Sequence, residues 1–236
     1  MMPGARALAV LAALVMLTGA TAMDPDNPTC PAQPDFGPKT PMTLKAAQRG
    51  GKRVLLAEGA IDPTLPTRLK AAIEADDRIE EIWLRSRGGD VSAGNEAGRI
   101  IRSYRGMLTR VPSGWTCFSA CNFVFMGGDR RVIEDGGIFM VHMFTHTNDR
   151  ALIDEVVIEG SKATTELITS IEQSSAMLAS EDNDFLIRMG ISRKLLTDIM
   201  YKQQAVKRDG NPSTRYCLSQ AEVREYNVMP VEKPAP

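Results

Sequence analysis

Between positions 83 and 142 the chain carries, in order, the three kinds of group that acyl transfer at a serine requires. Ser86-Arg87-Gly88-Gly89-Asp90-Val91 follows the apolar run Ile82-Trp83-Leu84 and opens a helix-like segment. Cys117-Phe118-Ser119-Ala120-Cys121 sets a serine among small residues, ahead of another apolar run. Gly137-Ile138-Phe139-Met140-Val141-His142 then ends an apolar strand on an imidazole. A serine hydroxyl is a poor nucleophile until a neighbouring, well-oriented base removes its proton. His142 is the better base, because a polar ring at the end of an apolar strand is costly to bury without a use. His146 is the only other histidine, and Thr145-His146-Thr147-Asn148 reads as solvated surface.

Ser119 falls where a strand meets a buried helix. A small residue after it, Ala120, lets the backbone turn sharply and points N–H groups of the helix start toward a developing oxyanion. Gly88-Gly89 would supply the other half of that hole, glycine allowing substrate backbone to come close. By itself a Gly-Gly pair is an ordinary strand-to-helix turn. The Gly-x-Ser-x-Gly elbow of α/β-hydrolases is absent, since Cys117 and Cys121 occupy the glycine positions, which argues against that fold. A rival arrangement is zinc on Cys117, Cys121, His142 and His146, spaced Cys-x3-Cys and His-x3-His. About twenty residues of dense apolar sequence separate the pairs, longer than the usual finger. No metal or cofactor is therefore expected.

These groups need a framework, and the chain alternates between strand-like and helix-like segments. Strands are expected at 53–57, 81–85, 107–111, 131–133 and 138–143. Helices are expected at 67–75 (Leu69, Ala72, Ile73), 93–104 (Ala93, Ala97, Ile100, Ile101, Tyr104) and, buried behind Ser119, from 122 to 126. Gly94 and Gly98 would let a neighbour approach the second of these closely. This rhythm calls for an α/β fold with a mainly parallel sheet. The second half is helix-rich. Val156, Ala163, Leu167, Ile171 and Leu178 form a long amphipathic stripe over 152–178, with shorter helices at 184–189 and 194–200. Ser219-Gln220-Ala221-Glu222 is a capping-box start for a last short helix.

Residues 1–22 read as an export signal: Arg6, an apolar run from 7 to 17, and Ala20-Thr21-Ala22 as the cleavage site. Its apolar core is shorter than the roughly 18 to 20 residues of a membrane span, and no later segment is apolar enough to be one. Removing it takes away one base and no acid, moving the net charge from −1 to −2. That balance argues against a nucleic-acid partner. Prolines at 25, 28, 31, 34, 38 and 41 make 23–42 an extended, poorly packed lead-in. One domain is expected over 43–230, with a tail at 231–236. Cys30, Cys117, Cys121 and Cys217 in an exported chain make disulfides expected. Three complete pairings are possible, and the favoured bond ties Cys217 to one of the cysteines beside Ser119.

At these residues the chain resembles the ClpP/crotonase superfamily, in its ClpP-like serine peptidase branch, from about 53 to 229. Arg53-Val54-Leu55-Leu56-Ala57-Glu58-Gly59 looks like the first strand of that family, and Ser86-Arg87-Gly88-Gly89-Asp90-Val91-Ser92-Ala93-Gly94 like its oxyanion loop. Ser119-Ala120 takes the nucleophile position, and Gly128-Asp129-Arg130-Arg131 with Met140-Val141-His142 the run to the histidine strand. Tyr216-Cys217-Leu218-Ser219-Gln220-Ala221-Glu222 with Tyr226 looks like the closing strand and helix. The resemblance implies a spiral of β-α-β units, with Ser119 as nucleophile and His142 as general base. Backbone N–H groups of Gly88, Gly89 and Ala120 would form the oxyanion hole. For the acid that orients the histidine it points to Asp198, with Asp182, Asp184 or no acid as alternatives. It also implies a homo-oligomer acting on peptides or unfolded protein. An exported chain meets little ATP or coenzyme A, so no ATPase partner and no thioester substrate is expected. The paired cysteines, the signal and the lead-in set this chain apart as an exported, periplasmic subgroup. The alternative is a non-catalytic or redox-gated binding scaffold of the same fold.

Overall fold

Val54, Leu55, Leu56 and Ala57 form an unbroken apolar run, which suits a strand covered on both faces. In the computed structural model, which describes residues 22–142, 150–204 and 215–230, all four are buried in β4 (Lys52–Glu58). The lead-in holds β1 (Met23–Asp24) and β2 (Asn27–Pro31), and β3 (Thr43–Arg49) pairs antiparallel with β4. After β4 come α1 (Leu65–Glu74), β5 (Glu81–Arg85), α2 (Val91–Ser103) and β6 (Leu108–Val111). The chain continues through β7 (Thr116–Phe118), α3 (Cys121–Met126), β8 (Arg130–Ile133) and β9 (Ile138–His142). The second half comprises α4 (Arg150–Glu159), α5 (Ser161–Arg188), α6 (Lys194–Gln204), β10 (Arg215–Cys217) and α7 (Gln220–Glu225).

The fold is mixed α/β with a mainly parallel sheet, as the alternation requires. One sheet has the order β3-β4-β5-β6-β8, parallel from β4 onward. A smaller sheet has the order β10-β9-β7, in which β7 and β9 run parallel. The sheets meet at the end of β5, where Ser86 forms a bridge to Cys117 of β7. The Gly88-Gly89 turn and the strand leading to Ser119 are thereby neighbours through backbone pairing alone.

Register within the larger sheet is reinforced by Glu81, 1% exposed, which accepts bonds from Lys52 (2.6 Å), Arg110 (2.8 Å) and Trp83 (2.9 Å). Burial by itself would raise its pKa, but these donors outweigh it and hold the carboxyl at about 2. The main core runs through Leu55, Leu69, Ile82, Leu84, Ile101, Phe125 and Phe185. Gly94 and Gly98 do bring α2 close to a neighbour, α3: a Cβ on Gly98 would lie 2.3 Å from the Phe123 carbonyl oxygen. Buried Arg131 donates to the carbonyls of Gly128 (2.9 Å), Val228 (2.7 Å) and Asn227 (3.1 Å), clamping the C-terminal segment to the end of α3.

One expectation needs refinement and two need correction. The lead-in is extended and mostly exposed, as expected, but it is anchored to the domain at a few points. Its Cys30 is bonded to Cys217, Met42 is 1% exposed, and Asp35 receives Arg85 Nη1 at 2.9 Å. The disulfides are Cys30–Cys217 and Cys117–Cys121, so Cys217 is not tied to a cysteine beside Ser119. Pairing of β10 with β9 directs Cys217 toward Met140 and Cys30, which share a small cluster separate from the main core. A loop as long as that between Cys30 and Cys217 makes its closure worth about 5 kcal/mol in the chain-entropy account. Finally, the 152–178 stripe is broken at Gly160 (φ 105°), and the helix expected at 184–189 is the end of α5. Phe185 and Leu186 enter the core, so packing carries the helix through the polar run before them. The capping box at Ser219 and Glu222 has both of its reciprocal bonds.

Candidate active site

β7 delivers Ser119 to the turn before α3, and Ser119 has φ 59°, one of two non-glycine residues with positive φ among those described. An L-residue held in this region costs about 1 to 2 kcal/mol and persists only where its surroundings impose it. Here they do. The Cys117–Cys121 disulfide spans the turn with Cα atoms 5.3 Å apart, and both cysteines are fully buried. The helix behind is pinned by Asn122, whose Nδ2 donates to the Met140 carbonyl at 2.8 Å. Met140 lies on β9, two residues before His142, so that bond also sets the histidine's height.

The outcome is a 2.7 Å contact between Ser119 Oγ and His142 Nε2. The distance suits proton transfer from the hydroxyl to the ring. The Phe118 ring lies 4.8 Å from the imidazole, centroid to centroid, and restricts how it can turn.

Opposite the elbow, Gly88 (φ 85°) and Gly89 (φ 147°) carry the loop against it. A Cβ on Gly88 would stand 2.6 Å from the Phe118 carbonyl oxygen and 2.7 Å from Ser119 Cβ; on Gly89 it would lie 2.1 Å from the Ile61 carbonyl oxygen. Only glycine fits either place. Of the three expected oxyanion donors, Gly88 is corrected: its N–H donates to Ser86 Oγ at 3.0 Å. The N–H groups of Gly89 and Ala120 donate to no acceptor among the described residues, and both residues line the same cavity as Ser119 and His142.

That cavity has a volume of about 290 Å³. Its wall includes one of the three acids considered for the third place, and it is Asp182. Asp198 is a further correction: its carboxylate accepts from Tyr226 (3.1 Å), faces Lys194 (3.7 Å) and opens on a separate surface depression. Asp184 pairs with Arg188 at 2.7 Å and Arg99 at 3.6 Å. Asp182 is different in kind. Its Oδ1 is buried without a hydrogen bond, and burial first, then the charge of Glu181, pushes its pKa up to about 7.

In the sequence Asp182 is only an alternative for the third place, and Asn122 is not among the expected site residues. Both left signals. Leu178, Asp182 and Leu186 stand four apart, so the carboxylate shares an apolar helix face. Asn122 precedes the apolar run Phe123-Val124-Phe125-Met126, where an amide needs a partner. The zinc arrangement loses both of its thiolates to the Cys117–Cys121 disulfide. His146 lies outside the described residues.

No protein-family model matches this chain, and no curated protein matches it. Among solved structures it is similar to a point mutant of ClpP1 from Listeria monocytogenes, at 14% identity and a TM-score of 0.43, over 74% of this chain and 86% of that one. It is also similar to two structures of Pseudomonas aeruginosa DspI, each at 16% identity over 42% of this chain. Their TM-scores are 0.34 and 0.33, over 52% and 48% of those chains. Likeness at these levels carries no argument about chemistry, which rests on the Ser119 and His142 geometry.

Proposed function

We propose that this chain is an exported serine hydrolase of the ClpP-like kind, a peptidase that cleaves peptides or unfolded protein. The observation that carries the reading is the 2.7 Å contact between Ser119 Oγ and His142 Nε2. It sits beneath two uncommitted backbone donors at Gly89 and Ala120. The order of the motifs in the sequence and the strained turn at Ser119 support it.

In this reading His142 Nε2 takes the Ser119 proton as Oγ attacks the substrate carbonyl carbon. The carbonyl oxygen becomes the oxyanion and accepts from the Gly89 and Ala120 N–H groups. Donors aimed at the place where charge develops lower the barrier, each worth about 2.7 to 4 kcal/mol. The imidazolium then protonates the leaving amine as the C–N bond breaks, leaving an acyl ester on Ser119. Water, deprotonated by the same ring, hydrolyses that ester and restores the hydroxyl. Export is supported by the apolar segment at 7–17 and by two disulfides, which persist in oxidising compartments. Exposed Val157, Ile158, Ile168 and Met177 on α4 and α5 support self-association.

A fluorophosphonate probe tests the reading. Folded protein at about pH 7.5 should be labelled, Ser119→Ala should take no label, and His142→Ala should be slowed at least about a hundredfold. Absence of labelling in well-folded, oxidised wild-type protein sinks the hydrolase reading. It would leave the binding scaffold.

A further inference from the structure

The cavity beside Ser119 has a chemical asymmetry. Two of its wall residues, Asp182 and Asn122, each carry a buried side-chain oxygen, Oδ1 in both, that receives no hydrogen bond. The orientation of Asn122 is settled, because its Nδ2 must be the atom that donates to the Met140 carbonyl at 2.8 Å. Its Oδ1 is therefore an acceptor. No lysine or arginine lines the cavity among the described residues, and much of the wall is apolar, including Phe123, Met126, Leu178, Leu186 and Leu195. Buried acceptors are nearly always satisfied in native proteins, and two of the six unpartnered buried side-chain atoms among the described residues belong to residues of this one cavity wall, where a ligand could bring a donor.

We propose that this cavity is the specificity pocket for a basic side chain of the substrate, with Asp182 and Asn122 receiving the lysine or arginine head group. The assignment rests on the hydrolase reading for the word substrate, but not for the pocket's choice of a cation. A lysine stem would lie along the leucine and phenylalanine wall, and its ammonium brings several donors and no acceptor. At about 290 Å³ the cavity lies at the small end of the roughly 300 to 1,000 Å³ typical of ligand sites, which suits one side chain. A leucine would leave both oxygens without donors, and a glutamate would add a third acceptor. The free pocket disfavours the charged form of Asp182, and an arriving cation would reverse that.

Two measurements test this. The first compares kcat/KM of the oxidised protein on benzyloxycarbonyl thiobenzyl esters of lysine, leucine and glutamate. Lysine should lead leucine at least tenfold, with glutamate last, and Asp182→Asn should bring the lysine-to-leucine ratio near one. Leucine equal to or ahead of lysine in the wild type overturns the assignment, whatever the variant does. The second needs no turnover: Ser119→Ala protein is titrated with n-butylammonium and with n-butanol by NMR. The ammonium should bind at least tenfold more tightly and lose that margin when Asp182→Asn is added; equal binding, or none, overturns the assignment. Butylammonium binding without fluorophosphonate labelling would remove the hydrolase reading and leave the pocket. Labelling with no preference for a cation would do the reverse.

Discussion

Replacing Asp182 by asparagine should stabilise the protein at about pH 8 and change little at about pH 4. The carboxyl is held up to about 7 by burial, with Glu181 adding to it, against about 3.9 in an unfolded chain. Its folded pKa therefore lies above the unfolded one. Between these values the native state keeps a proton that the unfolded chain has lost. The group's contribution is fully present below the unfolded value and is lost as pH rises through about 7. At about 1.36 kcal/mol per pH unit, the ceiling is about 4 kcal/mol. The cavity opens to solvent, and screening lowers the expected cost to about 1 to 2 kcal/mol. For a domain of this size that corresponds to about 2 to 8 °C in Tm. Calorimetry of wild type and variant at about pH 4, 6 and 8, without reductant, measures it. Other carboxylates titrate equally in both proteins and cancel in the difference. A stability gain that is flat with pH, or a variant less stable at the alkaline end, would refute the reasoning. It would mean that Asp182 is ionised and paired in the native protein.

Gly88→Ala should slow fluorophosphonate labelling about a hundredfold, because its Cβ collides with Phe118 and Ser119 and displaces the elbow. Gly106→Ala is the control: φ is positive there too, at 78°, yet nothing lies within 4 Å of the new Cβ, so labelling should stay at the wild-type rate. Equal effects from the two changes would show that backbone strain, not crowding of Ser119, is at issue. Replacing Cys117 and Cys121 together by alanine removes the strap across Ser119 and should cut labelling at least about tenfold, the equivalent of about 1.4 kcal/mol of lost preorganisation. A rise instead would make the bond a gate that restrains access to Ser119, and an unchanged rate would leave it with no role in positioning the serine.

Much of the site was legible because it is built from local features with strong physical reasons. Gly88 and Gly89 stand at the end of a strand, Ser119 at a strand-to-helix turn, and His142 at the end of an apolar strand. Each is marked by a residue type that would be costly in an ordinary element. Parallel pairing of β7 with β9 then brings serine and histidine together. The capping box at Ser219 was legible for the same reason, since all its atoms lie within four residues.

What lay beyond the sequence concerns partners distant along the chain. Whether Gly88 N–H faces substrate or Ser86 Oγ depends on a side-chain rotamer at the junction of two sheets. Which acid lines the cavity depends on the rotation of α5 about its own axis, fixed when Phe185 and Leu186 enter the core. The partner of Cys217 depends on where a proline-rich segment 187 residues earlier comes to rest. Spacing along the chain thus marked the serine, the histidine and the secondary structure that carries them, because these follow from local propensity and burial. Tertiary packing alone decided the free donors, the buried carboxyl and the disulfides, because each is a contact between surfaces that no local preference aligns.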